Sequence, residues 1–506
     1  MKLKEIIKGE LSELYARRFG VAPGGVEDVA EGGSSRIYLR ILAPEGAPEG
    51  VPPTVVGTYG ADRAENEAFC RLAEAFRRTR PSVARYAIPA IYARDDEKGI
   101  YLQEDFGSRS LSDLLAAVRG GGDGGSYGEV GRTVERIVRD TVCVVLDSLL
   151  TLQTTPEREW RDATLNEPFG RQRVLWDLNY FKYSFLKVAD LVFDEPLLEA
   201  DFQSMASDLA GYPEELAGFM YRDFQSRNVM MATPDALPGF IDFQGGMAGP
   251  VVYDAVSFLW QVKAGFPAEF RTEMLRRYVG RLVEMRGGDA GEFMAYASRL
   301  AAWRTLQVLG AYGFRGLIEK KSHFLQSIPG ALRNLEEFVA GGVLAPYPEL
   351  ERVCRGLISM PRFRHEERLP GRLRVQILSF SYKKGYPENL TGNGGGYVFD
   401  CRWMHNPGRY DEYRPLTGRD KEVIDFLEGT GEVQKFLENV CGLVCPAVEV
   451  YRRRGFSDLQ VAFGCTGGRH RSLYCAERLY GIITAAYPDV EVELIHRERG
   501  WRKSNF

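Results

Sequence analysis

Three polar residues, Asp223, Asn228 and Asp242, stand at a spacing that suits phosphoryl transfer. In "YRDFQSRN" the first two are five apart, and "IDFQGG" brings a second carboxylate fourteen residues after Asn228. Transfer of a γ-phosphoryl group asks for a carboxylate beside the attacking hydroxyl and for two oxygen ligands that hold Mg2+ against the phosphates. Asp223 is then the base or hydroxyl-orienting group, with Asn228 and Asp242 as metal ligands. An isolated Asp-x-x-x-x-Asn is common by chance. The second Asp after a hairpin-length gap and a glycine-rich turn upstream make it specific.

A second constellation lies near the end of the chain, in "VAFGCTGGRHRSLYCAERLY". Cys465 and Arg471 have the Cys-x-x-x-x-x-Arg spacing of a cysteine phosphatase loop, with Ser472 behind. The same stretch reads as a strand, a glycine-rich turn and a helix, which aims backbone N–H groups at one point and suits a bound anion. Cys465, Thr466, Gly467, Gly468, Arg469, His470, Arg471 and Ser472 form that candidate anion site. Phosphatase chemistry also needs a thiolate and an acid for the leaving oxygen. No His stands immediately before Cys465 and no Trp-Pro-Asp-like acid loop is evident, with Asp400 and Asp420 as the candidate acids.

The elements that must position these groups follow from patterning. "VAEGGSSRIYLRILAP" reads as a glycine-rich hairpin, in which Gly32, Gly33, Ser34 and Ser35 could cover phosphates with backbone N–H groups. "TVVGTYG" and "KGIYLQEDFG" read as strands, and "AENEAFCRLAEAFRRT" as an amphipathic helix. Gln103, Glu104 and Asp105 fall on the connector that would present backbone groups to adenine. Residues from about 110 to 340 are largely helical, interrupted by the two short segments that carry the catalytic residues. Beyond a proline-containing basic stretch the texture alternates strand and helix, as in an α/β sheet with polar loops at the strand ends. The expected divisions are a domain at 1–345, with a β-rich lobe at 1–107 and a helical lobe at 108–345, a closing segment at 346–371, and a domain at 372–506.

Composition narrows the class. The chain has 506 residues, 44% apolar content and a formal charge of −4, which allows two or three cores and gives no global basic field for nucleic acid. Eight cysteines without a CxxC pair argue against a zinc ribbon or a disulfide framework and for a reducing compartment. Cys441 and Cys445, four apart, read as buried apolar residues. The start, "MKLKEIIKGELSELYARRFG", reads as an amphipathic helix without a signal-peptide core, and no apolar run is long enough to span a bilayer. A cytoplasmic protein without membrane contact is expected.

The first half resembles the aminoglycoside/choline phosphotransferase superfamily. Its segments "YRDFQSRNVM", "GFIDFQGGMAGPVVYDAVSFLW" and "YLQEDFGSRSL" look most like the bacterial anomeric kinases of N-acetylmuramic acid and N-acetylglucosamine, cell-wall recycling enzymes that use ATP. The resemblance implies a two-lobed, protein-kinase-like α+β domain, ATP and Mg2+ as cofactors, Asp223 as base, Asn228 and Asp242 on the metal, and a helical lobe that holds a small sugar. Asp254 lies in the same block, in a role that supports the metal loop. Two departures stand out. Tyr221 occupies the place of the usual catalytic-loop His, a position that orients the loop. "PTVVGTYG" lacks the lysine that neutralises the phosphates, for which Arg36 or Arg63 is the available substitute.

Residues 374–498 resemble the C-terminal domain of the RapZ family through five ordered blocks: "ILSFSYKKGYP", "YVFDCRWMHNP", "RPLTGRDKEV", "GCTGGRHRSLYCAERL" and "HRE". This implies an α/β domain that binds an amino-sugar phosphate, engages RNA or protein partners and allows homo-oligomers, with no phosphatase activity. The P-loop module that usually precedes it is replaced here by the kinase-like half. Arg402, His405, Asn406, Thr417 and His496 join the anion site from matched blocks, with Ser379, Lys383, Arg414 and Gly418 as companions. For His405, His470 and His496, a phosphate or sugar explains the surrounding arginines better than a metal does. The expected function is therefore an ATP-dependent amino-sugar kinase with a C-terminal sugar-phosphate sensor. The alternatives are a regulatory RNA- or protein-binding scaffold with a degenerate kinase half, and a C-terminal cysteine phosphatase.

Overall fold

The computed structural model describes residues 2–29, 36–120, 129–360, 363, 372–387 and 396–505. Gly32, Gly33, Ser34 and Ser35 lie outside the described residues. The chain divides into two compact units, Met1–Ala311 with Gly330–Pro361, and Tyr312–Pro329 with Arg362–Phe506. Residues 312–329, expected in the helical lobe, thus group with the second unit.

The first unit opens with helix α1 (Lys2–Phe19) and an antiparallel sheet of β1 (Gly25–Asp28), β2 (Ile37–Leu42), β3 (Thr54–Tyr59), β4 (Ile91–Asp95) and β5 (Ile100–Glu104), in the order β1-β2-β3-β5-β4, with α2 (Arg63–Thr79) after β3. Side chains alternate across a strand. Leu39, Ile41, Val55, Ile100 and Leu102 therefore share one face, where they pack with Ile7, Leu11, Leu14 and Tyr15 of α1. A Cβ at Gly57 would stand 3.0 Å from Leu11 Cδ1, so the close approach of α1 requires glycine there. Arg36, just before β2, and Tyr38, Thr58, Tyr101 and Gln103 alternate to the opposite side. On α2, Asp62 caps the first turn by accepting from Glu65 N, and buried Asn66 donates to the Gly60 and Gly99 carbonyls.

The helical part comprises α3 (Leu111–Gly120), α4 (Glu129–Gln153), α5 (Arg171–Phe181) and α6 (Glu195–Ala210), then the short strands β6 (Ala217–Met220), β7 (Val229–Met230), β8 (Gly239–Phe240) and β9 (Met247–Pro250). It continues with α7 (Val252–Leu259), α8 (Ala268–Arg286), α9 (Ala290–Tyr312), α10 (Ser322–Leu325), α11 (Ile328–Ala340) and α12 (Pro348–Ser359). Strand β6 pairs with β9, and β7 with β8, so the two catalytic segments form paired ribbons. The closing segment begins as α12, tied to α6 by hydrogen bonds from Asp194 N to Glu349 and from Leu350 N to Asp201.

The second unit carries β10 (Arg374–Ser381), β11 (Gly396–Asp400), α13 (Lys421–Gly429), α14 (Glu432–Arg453), β12 (Asp458–Cys465), α15 (Arg471–Ala486), β13 (Glu491–His496) and β14 (Trp501–Ser504). Strands β11, β12, β10 and β13 are parallel and β14 closes the edge antiparallel. Parallel pairing needs crossover connections, and α13 to α15 supply them. They bury Val375, Ile377, Val461, Phe463, Val492 and Leu494 on one face of the sheet. Ser381 and Cys465 face each other in register at the carboxyl ends, where ligands of open α/β sheets bind.

Candidate functional sites

In the first unit, Asp223 and Asn228 lie on the turn between β6 and β7, and Asp242 follows β8. The Asn228 amide nitrogen donates to Asp242 Oδ2 at 3.1 Å, to the Asp223 carbonyl at 2.9 Å and to Asp223 Oδ2 at 3.4 Å. The three residues selected by spacing thus meet around one side-chain amide. Gln244 donates to Asp242 Oδ1 at 2.8 Å, and Gln225 and Arg227 hold Asp223. Desolvation first, and then the neighbouring Asp223 charge, push the Asp242 carboxyl above its usual range. Two crowded carboxylates and a side-chain amide, whose oxygen and nitrogen can exchange places by a flip, are a donor set that fits a hard divalent cation such as Mg2+.

The support beneath this trio is built from buried side chains. Tyr221 is fully buried and its hydroxyl donates to the Ile241 carbonyl, which ties the catalytic turn to the metal loop. Asp254 is also fully buried and accepts from Tyr221 N at 2.7 Å, Arg222 N at 2.8 Å and Gln153 Nε2 at 2.6 Å. Burial pushes its carboxyl up to about 7. Arg222 and Asp242 both hold left-handed backbone, at φ 76° and 70°. For non-glycine residues that costs on the order of 1–3 kcal/mol and clusters at functional sites. Phe243, next to Asp242, stacks on Phe69 of α2 with ring centroids 4.7 Å apart, so α2 braces the metal loop.

Arg36, one of the two candidate substitutes for the absent lysine, lies towards the Asp242 loop. Its side chain is only 6% exposed, lies 3.2 Å from Glu65 on α2, and acts electrostatically on Asp242. Arg63 is exposed on the first turn of α2. The connector residues, expected to offer backbone groups, have their side chains engaged in local contacts. Glu104 accepts from Ala90 N at 3.0 Å and pairs with Arg77, and Asp105 pairs with Arg40 at 2.6 Å and accepts from Gly107 N. Despite burial, the Arg40 and Gly107 donors hold the Asp105 carboxyl below its usual range. Gln103 is buried on β5.

In the second unit, the turn from β12 to α15 is fixed on three sides. Arg471, 4% exposed, donates to the carbonyls of Arg402 and Met404, both at 2.8 Å, and its Nε has no partner among the described residues. Gly418 N donates to the Arg469 carbonyl, and His470 Nε2 lies 3.0 Å from the Tyr413 carbonyl. Burial, and then the flanking Arg469 and Arg471, push the His470 imidazole below its usual value. Ser381 Oγ donates to the Thr466 carbonyl at 2.7 Å. Gly468 has φ 64°, and a Cβ there would stand 2.6 Å from Glu498 Cγ and 3.0 Å from Ser381 N. Gly467 and Thr466 are exposed at the mouth.

Cys465 is 3% exposed and its Sγ lies 3.1 Å from Ser472 Oγ. It lines the turn as a wall. The companions taken from other blocks keep local partners: Arg402 pairs with Asp400 and lies over the Tyr382 ring, His405 meets Tyr410, Asn406 caps Gly408, and Thr417 bonds Asp420. His496 is 1% exposed at the end of β13. It bridges Ser379 Oγ at 2.8 Å and Glu477 at 3.1 Å, and stacks on Trp501. The three histidines therefore have three different sets of partners. Ser381, Arg497 and Glu498 were missed, although the last two stand beside His496 in the sequence. Arg497 donates to the Ser381 and Gly385 carbonyls, and Glu498 accepts from Ser381 N.

Residues 27–290, just over half of the chain, match the phosphotransferase enzyme family. The chain belongs to that family. Residues 373–500 match the RapZ C-terminal domain. A nucleotide-binding protein of Dinoroseobacter shibae is 37% identical over 134 residues, 26% of this chain and 39% of the relative. One from Ruegeria is 40% identical over 127 residues, 25% and 40% of the two lengths, so the chain spans about two-fifths of these relatives. Among solved structures, the GDP complex of aminoglycoside 2'-phosphotransferase-IIIa is 16% identical with a TM-score of 0.41, covering 66% of this chain and 98% of that one. A choline/ethanolamine kinase family protein of Mesorhizobium loti is 14% identical with a TM-score of 0.38, covering 70% and 96%. Among the described residues, no helix is long and apolar enough to cross a membrane.

Proposed function

We propose that this phosphotransferase is an ATP- and Mg2+-dependent kinase of an amino sugar of the N-acetylmuramate or N-acetylglucosamine type, acting on the anomeric hydroxyl in cytoplasmic cell-wall sugar recycling. The observation that carries the reading is the convergence of Asp223, Asn228 and Asp242 around the Asn228 amide, with Arg36 in electrostatic reach. Asp223 orients the sugar hydroxyl and accepts its proton. Asn228 and Asp242 would hold Mg2+, which when bound neutralises charge on the transferring phosphate. Arg36, fixed by Glu65, adds the positive charge that the missing lysine would supply. Tyr221 and Asp254 hold the turn in place without touching reactants.

The second unit, on this reading, senses a sugar phosphate or related anion at the carboxyl edge of its sheet. The glycine-dependent bend at Gly468, with Thr466 and Gly467 exposed at the mouth of the 465–471 turn, supports it. A screen of ATP consumption over amino sugars and aminoglycosides, with Asp223→Ala as control, tests the kinase. Turnover of an N-acetylated amino sugar that is absent in the variant is expected. No turnover with any acceptor, together with steeply salt-dependent binding of structured RNA, would replace the reading with that of a regulatory scaffold.

A further inference from the structure

Gln103 stands near the end of β5, just before the connector, and is 7% exposed. Among the described residues its Oε1 is enclosed without a hydrogen-bond partner. Buried polar groups are nearly always paired, so an enclosed acceptor calls for a donor that the folded chain does not itself supply. Its place in the sheet says where that donor comes from. Ile100 and Leu102 turn towards α1, so Tyr101 and Gln103 turn the other way. On that side Tyr101 meets Phe69 of α2, ring centroids 5.5 Å apart, and Phe69 stacks on Phe243 beside Asp242. Gln103 lies on the same side, between Val56 of β3 and Ile91 of β4. Two residues past the strand, the connector closes on β8, since a Cβ at Gly239 would stand 2.5 Å from the Phe106 ring. Glu104 and Asp105 are engaged by Arg77 and Arg40. Gln103 thus keeps an uncommitted polar group on the face of the small sheet that looks towards the metal loop.

We infer that the Gln103 amide recognises position 6 of a purine base, and that the phosphoryl donor carries adenine or guanine alike. Adenine has an amino donor at that position and guanine a carbonyl acceptor. A side-chain amide carries one group of each kind and exchanges them by a half-turn of its terminal torsion. A hydrocarbon side chain there would answer neither base. The inference rests on the kinase reading and widens its nucleotide from ATP to both purines.

The test is calorimetric titration of the full chain with ADP, GDP and purine riboside diphosphate, which bears only hydrogen at position 6, all with Mg2+. ADP and GDP should bind within about tenfold of one another, and each at least about tenfold tighter than the unsubstituted purine. In Gln103→Met, which keeps the length and loses the amide, both advantages should shrink towards one. Its melting temperature without nucleotide should not fall, because the variant buries no polar group in need of a partner. A parent preference for one purine beyond about 100-fold, or no advantage of either over the unsubstituted base, would overturn the inference. So would unchanged ratios in the variant, and a lower melting temperature beside them would make the amide a structural group. Turnover with ATP and none with GTP would overturn it and leave the kinase reading standing. The expected affinity ratios without turnover of any acceptor would keep the base recognition and remove the kinase reading instead.

Discussion

The guanidinium of Arg36 lies 3.2 Å from the carboxylate of Glu65, joining the strand side of the small lobe to helix α2. On the proposed kinase reading, a cation so placed would do for the phosphates what a strand lysine paired with a helix glutamate does in protein kinases. Arg36→Ala is expected to lower kcat/KM for ATP about 100-fold, on the order of 2–3 kcal/mol for a charge-assisted contact. Arg36→Lys should lose less, because a point charge still reaches phosphate. Glu65 is half-exposed, so Glu65→Gln should cost less than Arg36→Ala. Steady-state kinetics with varied ATP distinguishes the three.

Asp223 is paired at the surface with Arg227 at 3.2 Å, and exposed pairs of this kind add roughly 0–1 kcal/mol to stability. Asp223→Ala should therefore leave the melting temperature nearly unchanged and nucleotide affinity within about twofold. Loss of a general base slows turnover by roughly 100- to 10,000-fold. Single-turnover rates and nucleotide titration separate the two effects. A fall in nucleotide affinity as large as the fall in rate would assign Asp223 to metal binding.

Asp254 makes a pH-dependent contribution whose sign follows from its burial. Its carboxyl is pushed up to about 7, well above the ~3.9 of an unfolded aspartate. Between those values the native chain keeps a proton that the unfolded chain has lost. Stability from this group is thus greatest near pH 4, falls by up to ~1.4 kcal/mol per unit as pH rises towards 7, and levels off above. Asp254→Asn removes that slope. It also turns an amide towards the Tyr221 and Arg222 N–H donors, at a cost of about 3 kcal/mol for buried groups left unpaired. Denaturant unfolding of parent and variant should show a larger gap at pH 5 than at pH 8.

What sequence revealed and what it hid divide along physical lines. Asp223, Asn228 and Asp242 were legible because local ribbons of fixed length carry them, and α2 because its apolar positions repeat at helical spacing. Helix α1 left the same trace in Ile7, Leu11 and Leu14. The β4 and β14 strands are short edge elements with weak alternation, and escaped notice. The side-chain partners of Glu104 and Asp105 could not be read locally because Arg77 and Arg40 are 27 and 65 residues away in the chain. Arg471 was chosen for its charge, but its acceptors are backbone carbonyls, which no side-chain pattern records.

Cys465 and Arg471 keep the spacing of a phosphatase loop, but their surroundings favour another use of it. The thiol is enclosed beside Ser472, and Arg471 is committed to the Arg402 and Met404 carbonyls. Cys465→Ser should leave any hydrolysis of phosphate esters at the level of the parent, and a loss of hydrolysis confined to this variant would restore the nucleophile. Arg471→Ala should destabilise the 372–506 region by about 2–4 kcal/mol, because it strands two buried carbonyls that share a charged donor. Arg402→Ala, which breaks an exposed pair with Asp400 and the contact with the Tyr382 ring, should cost much less. Unfolding of the full chain followed at Trp501, which is stacked on His496 in this region, would rank the two. Equal costs would mean that Arg471 contributes little as a clamp between the loops.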